Sequence, residues 1–276
     1  MPFIQVATER DYPVNVYFQD YGEGPPVVLI HGWPLSHRMW EYQINALTEA
    51  GYRCVALDRR GFGDSDKPWG GYDYDTMARD VHEVIKALDL QDVTLAGFSM
   101  GGGEVARYFG QFGADRVSKA MLISSVTPYM LQMDDNQDGV PQEVFDEFME
   151  NVKKDRLAFL DGFGKQFVNY CDGDSISDDL LHYNKMIAAF CSPRAMQRCI
   201  TAFGTTDFRP DMEKITVPTL IVHGDADQIV PIEVSAKQAA EMIEGSRLEV
   251  IEGAPHGLQY THTEKLNELM LDFLRS

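Results

Sequence analysis

The sequence predicts an α/β fold built on a mostly parallel sheet, with a helical insertion between two of its strands. Three observations carry that expectation. Short apolar runs alternate with stretches whose apolar residues recur every three or four positions. The alternation stops near residue 126 and resumes after residue 209. And 276 residues that are 44% hydrophobic supply a core of single-domain size.

The elements follow in order. Residues 14–18 (VNVYF) alternate apolar and polar, as a half-buried strand does. Residues 27–30 (VVLI) and 53–57 (RCVAL) are short apolar runs, expected of strands covered on both faces. Residues 75–89 form an amphipathic helix, with Met77, Val81, Val84, Ile85 and Leu88 on one stripe. A strand over 93–96 (VTLA) precedes a helix marked by Val105, Ala106, Phe109 and Phe112, and residues 119–124 form the next strand. From 126 to 209 the chain carries helical stretches, aromatics and acidic loops but no convincing buried strand. Strand 219–222 (TLIV), a helix near 231–243, strand 248–251 (LEVI) and a terminal helix bearing Leu266, Leu269, Met270, Phe273 and Leu274 complete the chain. Residues 1–125 and 210–276 are thus expected to form the core, and 126–209 a helical cap over the carboxyl ends of the strands, where such sheets place their sites.

Composition narrows the partners. The formal charge of −19 opposes binding to nucleic acid or an anionic membrane surface. No apolar run nears the roughly 18 residues of a membrane span. The amino-terminal segment lacks the basic and apolar regions of a secretory signal. Cys54, Cys171, Cys191 and Cys199 are sparse and lack CxxC spacing, so they read as reduced thiols of a cytoplasmic protein.

The sharpest chemical signal is GFSMG at 97–101, between an apolar strand and a helix. A serine on such a tight turn is strained, needs small residues two before and two after it, and meets the positive end of the helix. Ser99 is the candidate nucleophile. A serine hydroxyl needs a base oriented by an acid. His256, in the loop after the last strand, is the stronger base candidate; His262 opens the terminal helix, and His31 and His223 have the look of structural residues at strand ends. His37, His82 and His182 read as surface or packing residues. Asp225 and Asp227 compete for the acid. Asp227, deeper in its turn and just before Ile229 and Val230, is favoured, while Asp225 suits the amides of its own turn. An oxyanion needs two amide donors. The N–H groups of Met100 and Trp33 are the candidates, since Pro34 has none.

Metal and nucleotide sites find no support. Residues 134–139 imitate the start of a calcium loop, but Phe145 stands where a bidentate Glu is required. His82-Glu83 lacks the second His of a zinc helix, with Lys86 in its place, and Gly61-Phe-Gly-Asp-Ser-Asp lacks a third glycine. No cofactor is expected.

HGWPLS (31–36), DRRGFGDS (58–65), GFSMG (97–101), GDADQIVP (224–231) and GAPHG (253–257) together resemble the α/β-hydrolase superfamily. More narrowly they are similar to its cofactor-free, non-heme haloperoxidase, aryl esterase and perhydrolase group, over nearly the whole chain. The resemblance implies an α/β-hydrolase fold with an eight-stranded sheet. It places nucleophile, acid and base on Ser99, Asp227 and His256, and the oxyanion hole on Trp33 and Met100. It implies an acyl pocket at Phe148, Phe163, Phe167, Phe203, Ile229 and Val230. A proline after the oxyanion tryptophan goes with peroxide-using members, which puts peroxide selectivity on Pro34. The implied activity is hydrolysis of small apolar esters through an acyl-enzyme, with peroxide replacing water to give a peracid; an amidase or γ-lactamase is the alternative on the same residues. A small-molecule ester or amide is the expected partner, and homo-oligomers fit the group.

Overall fold

The computed structural model describes residues 2–171 and 176–276. Apolar runs of five or six residues cannot be satisfied by one buried face, and here they fill the middle of an eight-stranded sheet. Its strands are β1 (Phe3–Glu9), β2 (Tyr12–Tyr21), β3 (Pro26–Ile30), β4 (Arg53–Leu57), β5 (Val93–Phe98), β6 (Val117–Ile123), β7 (Thr219–Gly224) and β8 (Arg247–Ile251). The spatial order is β1-β2-β4-β3-β5-β6-β7-β8. β1 with β2 and β2 with β4 are antiparallel, and every later pairing is parallel. Every residue of β5 and of β7 is buried, which is why these strands read as continuous apolar runs rather than alternating ones.

Helices α1 (Glu41–Glu49), α2 (Tyr74–Ala87) and α3 (Met100–Phe112) follow β3, β4 and β5. Between β6 and β7 come α4 (Gln142–Phe167), α5 (Asp178–Ala189), α6 (Pro193–Thr205) and the single turn α7 (Arg209–Met212). α8 (Ala236–Met242) joins β7 to β8, and α9 (Leu258–Thr261) and α10 (Thr263–Arg275) close the chain. The stripe expected on α2 is buried at Met77, Val81, Val84 and Ile85, and the Asp73 side chain caps the helix by accepting from the Thr76 N–H at 2.9 Å. α4 packs against both α5 and α6. It is kinked at Asp155, whose backbone is non-helical (φ −155°, ψ 92°). Among the described residues no helix is long and apolar enough to cross a membrane.

Two elements differ from the sequence pattern. β1 was not anticipated because it is an edge strand in which Val6 is the one buried side chain and Phe3 stays 44% exposed. Such a strand presents no one-sided apolar signal. The helix expected near 231–243 is a 3₁₀ turn at Ile232–Val234 followed by α8, broken at Ser235.

The loop after β4 is held by buried charge. Asp58 accepts from the His37 N–H at 2.7 Å and the Asp64 N–H at 2.8 Å, and faces the His37 ring at 2.8 Å. Arg60 makes a two-pronged bridge to Asp80 of α2, at 2.5 and 2.6 Å, with both side chains buried. Removing one partner strands the other's charge in the core. Asp80→Ala is therefore expected to lower the free energy of unfolding by about 3–5 kcal/mol, measured by urea denaturation, whereas a value near zero would mean that water reaches Arg60.

Candidate active site

β5 ends at Phe98, and α3 begins two residues later. Ser99 makes the turn in a left-handed conformation (φ 52°, ψ −118°) rare for a non-glycine residue. The packing that enforces it is visible at the flanking glycines. A Cβ on Gly97 would sit 2.3 Å from the Gly101 carbonyl oxygen, and one on Gly101 would sit 2.5 Å from that of Ile30. The turn is fastened to β6, with the Ser99 N–H donating to the Ile123 carbonyl at 2.8 Å.

Two other loops converge on Ser99. His256 follows β8, and its Nε2 lies 2.9 Å from the Ser99 Oγ. Its Nδ1 lies 2.6 Å from Asp227 Oδ2, in the loop after β7. An ionised carboxylate only accepts, so the proton sits on Nδ1, and Nε2 is left to accept from the serine hydroxyl. Asp227 Oδ1 is fixed by the N–H groups of Ile229 (2.9 Å) and Val230 (2.8 Å). The His256 ring is buried against Phe98 and meets Phe167 edge-on, with centroids 5.0 and 5.2 Å away. Its loop is tied down where the Gly257 N–H donates to the Phe167 carbonyl at 2.6 Å.

A narrow cavity of about 40 Å³ opens onto Ser99 and His256. Of the residues expected in an acyl pocket, Phe148, Phe163, Phe203, Ile229 and Val230 line it, together with Trp33. Phe167 does not. It packs behind the imidazole and borders a separate small cleft with Pro34. The rest of the lining comes from residues the sequence did not single out for it: Val126, Met130, Val140, Val144 and Phe145. Trp33 is wedged among Phe159, Phe163 and Phe203, and its indole N–H donates to the Met196 carbonyl at 3.0 Å. Its peptide bond to Pro34 is cis. Met100 is the first residue of α3, so its N–H has no acceptor within the helix. A larger, open cleft of about 270 Å³ between α4 and α5 contains none of these groups. Among the described residues no three His, Cys, Asp or Glu side chains converge as metal ligands would.

A family model described as the alpha/beta hydrolase fold matches residues 25–263. The chain belongs to that family. This α/β-hydrolase-family protein is 42% identical over 275 residues to a non-heme chloroperoxidase of Kitasatospora aureofaciens, covering 98% of both chains. It is 38% identical to a bifunctional esterase/perhydrolase of Acinetobacter calcoaceticus, covering 95% of this chain and 97% of that one. The crystal structure of a bromoperoxidase from Bacillus anthracis superposes with a TM-score of 0.96 at 48% identity, over 99% of each chain.

Electrostatics around the site of this α/β-hydrolase-family protein are set by burial and specific partners. Burial alone would raise the Asp227 carboxyl. The facing His256 and the hydrogen bond from His223 outweigh it and hold the group well below the usual carboxylate range. His223 is the contact that sequence reading missed. Its Nε2 lies 2.8 Å from the Val230 carbonyl oxygen and 3.2 Å from Asp227 Oδ2, so the acid sits between two imidazoles. The available signal was its place at the end of β7, four residues before the acid. Asp225 differs from expectation in its partner. It accepts from the Gly253 N–H at 2.6 Å, in the loop that carries His256, rather than from its own turn. Below the Ser99 turn lies a fully buried layer. Arg59 pairs with Glu104 of α3 and donates to the His31 carbonyl at 2.6 Å. Burial pushes Glu104 up to about 7 against the pull of Arg59, and pushes His31 down to about 3, with Arg59 adding to the effect.

Two outcomes follow from this geometry. Gly97→Ala is expected to destabilise the fold by about 1–3 kcal/mol, read from the urea midpoint, because the added methyl meets backbone that cannot move aside. A group whose folded pKa is depressed contributes stability above its unfolded pKa and loses it as pH falls. Asp227→Asn should therefore make the fall in melting temperature between about pH 5 and pH 2 shallower than in the wild type; parallel curves would show that the carboxyl is not depressed.

Proposed function

We propose that this protein is a serine esterase for small apolar carboxylic esters, in which hydrogen peroxide can replace water as the final acceptor. The observation that carries the reading is the unbroken hydrogen-bond chain Ser99–His256–Asp227 at the wall of an apolar cavity. In this reading Ser99 Oγ attacks the ester carbonyl and passes its proton to His256 Nε2. Asp227 stabilises the imidazolium through Nδ1. The N–H groups of Trp33 and Met100 receive the developing oxyanion, one from the loop after β3 and one from the first residue of α3. The alcohol leaves with the proton from His256, which gives an acyl-enzyme. Water, deprotonated by His256, then releases the acid.

Peroxide attacking the same acyl-enzyme releases a peracid. The peracid transfers one oxygen to a halide ion, giving hypohalous acid on protonation and returning the carboxylic acid. No redox-active group on the protein is needed, since peroxide is the oxidant. The likeness to a bifunctional esterase/perhydrolase supports this pairing of activities. Pro34 is assigned to the partition between water and peroxide. A proline fixes its own φ and restricts the residue before it, which sets the direction of the Trp33 carbonyl, an acceptor for the peroxide O–H.

The helices α4 to α6 act as the cap in this scheme, supplying Phe145, Phe148, Phe163 and Phe203 to the acyl side of the cavity. A cavity of about 40 Å³ favours short acyl chains. The four cysteines are free thiols, in keeping with a reducing, cytoplasmic setting.

Ser99→Ala is expected to reduce both hydrolysis of p-nitrophenyl acetate and peroxide-dependent bromination of monochlorodimedone in acetate buffer by about 10⁶-fold in kcat. Bromination persisting without esterase activity would rule out the shared acyl-enzyme.

A further inference from the structure

The two amides assigned to the oxyanion stand on different elements, and their separation must be held to a fraction of an ångström for both to reach one oxygen. Trp33 belongs to the loop after β3. Met100 belongs to α3. The sheet brings the two loops side by side, with Ile30 of β3 opposite Gly97 of β5 and Gly101 packed on the Ile30 carbonyl. A third element adds a side-chain connection beyond the end of the sheet. Arg59, in the loop after β4, grips His31 twice: its backbone N–H donates to the ring Nε2 at 2.9 Å, and its guanidinium donates to the His31 carbonyl at 2.6 Å. His31 is two residues before Trp33. The same guanidinium donates through Nε to Glu104 Oε1 at 2.5 Å. Glu104 lies one turn along α3 from Met100, on the same helix face. Arg59 is 2% exposed and Glu104 is fully buried, so neither can trade its partner for water. The helix end is held further by Tyr74, whose hydroxyl donates to the Met100 carbonyl at 3.1 Å.

The pair joins the His31 loop to α3, and a buried ion pair is in any case a poor source of stability compared with apolar side chains of like volume. Glu104 is also imperfectly satisfied, with Oε2 buried and unpartnered.

We infer that Arg59 and Glu104 are positioning residues for the oxyanion hole, setting the spacing between the Trp33 and Met100 amides. The inference rests on the reading of those amides given above. Neither side chain touches substrate in this scheme; both act through His31 and α3.

The test uses the full-length enzyme, the double variant Arg59→Met/Glu104→Met and the single variant Glu104→Gln. Methionines replace the pair with apolar volume, which buried ion pairs commonly tolerate. Each protein is assayed on p-nitrophenyl acetate and titrated with an aryl trifluoromethyl ketone, whose hemiketal oxygen occupies the oxyanion hole when Ser99 adds to it. The double variant is expected to melt cooperatively, to keep its KM within about threefold, and to lose about 10²-fold in kcat. Affinity for the ketone should fall by the same factor, because both report the oxyanion. A purely structural pair would lower the melting temperature and leave the kcat and ketone affinity of the folded fraction unchanged, and that result overturns the inference. So does a loss of kcat with no loss of ketone affinity. If the double variant does not fold, Glu104→Gln, which keeps the shape and one N–H···O bond, decides by the same two measurements, with an expected loss of about tenfold in each. A fluorophosphonate separates the two levels of failure: a wild-type protein left unlabelled at Ser99 sinks the esterase reading itself, whereas labelling with unaltered variants sinks only the role of the pair.

Discussion

One residue in a disfavoured backbone conformation organises the molecule. Ser99 holds φ at 52° because the turn between β5 and α3 is compressed between two glycines and the end of β3. A non-glycine residue in such a conformation costs on the order of 1–3 kcal/mol, and the surrounding sheet must overdetermine it. It does so through hydrogen bonds to three places: the Ser99 N–H reaches the Ile123 carbonyl of β6, and the Ser99 carbonyl accepts from Gly102 of α3 and from Val126 in the loop after β6. The strain lifts the hydroxyl clear of the backbone at the point where the loops after β7 and β8 can reach it. Move the turn back to an ordinary conformation and Asp227 and His256 would face an empty place.

The groups around that turn are buried, with His256 1% and Asp227 7% exposed. Each of these buried charges has a partner of opposite sign or a set of amides: Asp227 with two N–H groups and the His256 ring, Arg59 with Glu104, Arg60 with Asp80, Asp58 with the N–H groups of His37 and Asp64. At low effective dielectric these pairs impose direction, which an apolar core alone cannot do. The surface is governed differently. A net charge of −19 has little say in the fold.

The sequence made the sheet interior legible because strands covered on both faces leave an uninterrupted apolar signature, as at 27–30, 53–57 and 93–96. Ser99 and its two partners were readable for another reason: a small-residue frame and a position just past a strand are local features. What stayed hidden depends on long-range contact. β1 buries too little to leave a pattern. The lining residues Val126, Met130, Val140 and Val144 look like any other apolar residues until the fold gathers them around the cavity at Ser99. The family resemblance implies a place for Phe167 in the acyl pocket, and only the fold turns its ring behind the imidazole. The grip of Arg59 on both His31 and Glu104, at sequence separations of 28 and 45 residues, has no local trace at all.

The far end of α4 is bolted to the core. The Phe167 carbonyl holds the Gly257 amide next to His256, and Asn169 just beyond the helix donates to the Ala226 carbonyl next to Asp227. The near end has no comparable fastening to either loop, and the helix is broken between the two at Asp155. Asp155 therefore divides the long helix into two halves with different duties: residues 142–154 bring Phe145 and Phe148 to the cavity wall, and the half that ends at Phe167 is tied to the loops that carry His256 and Asp227.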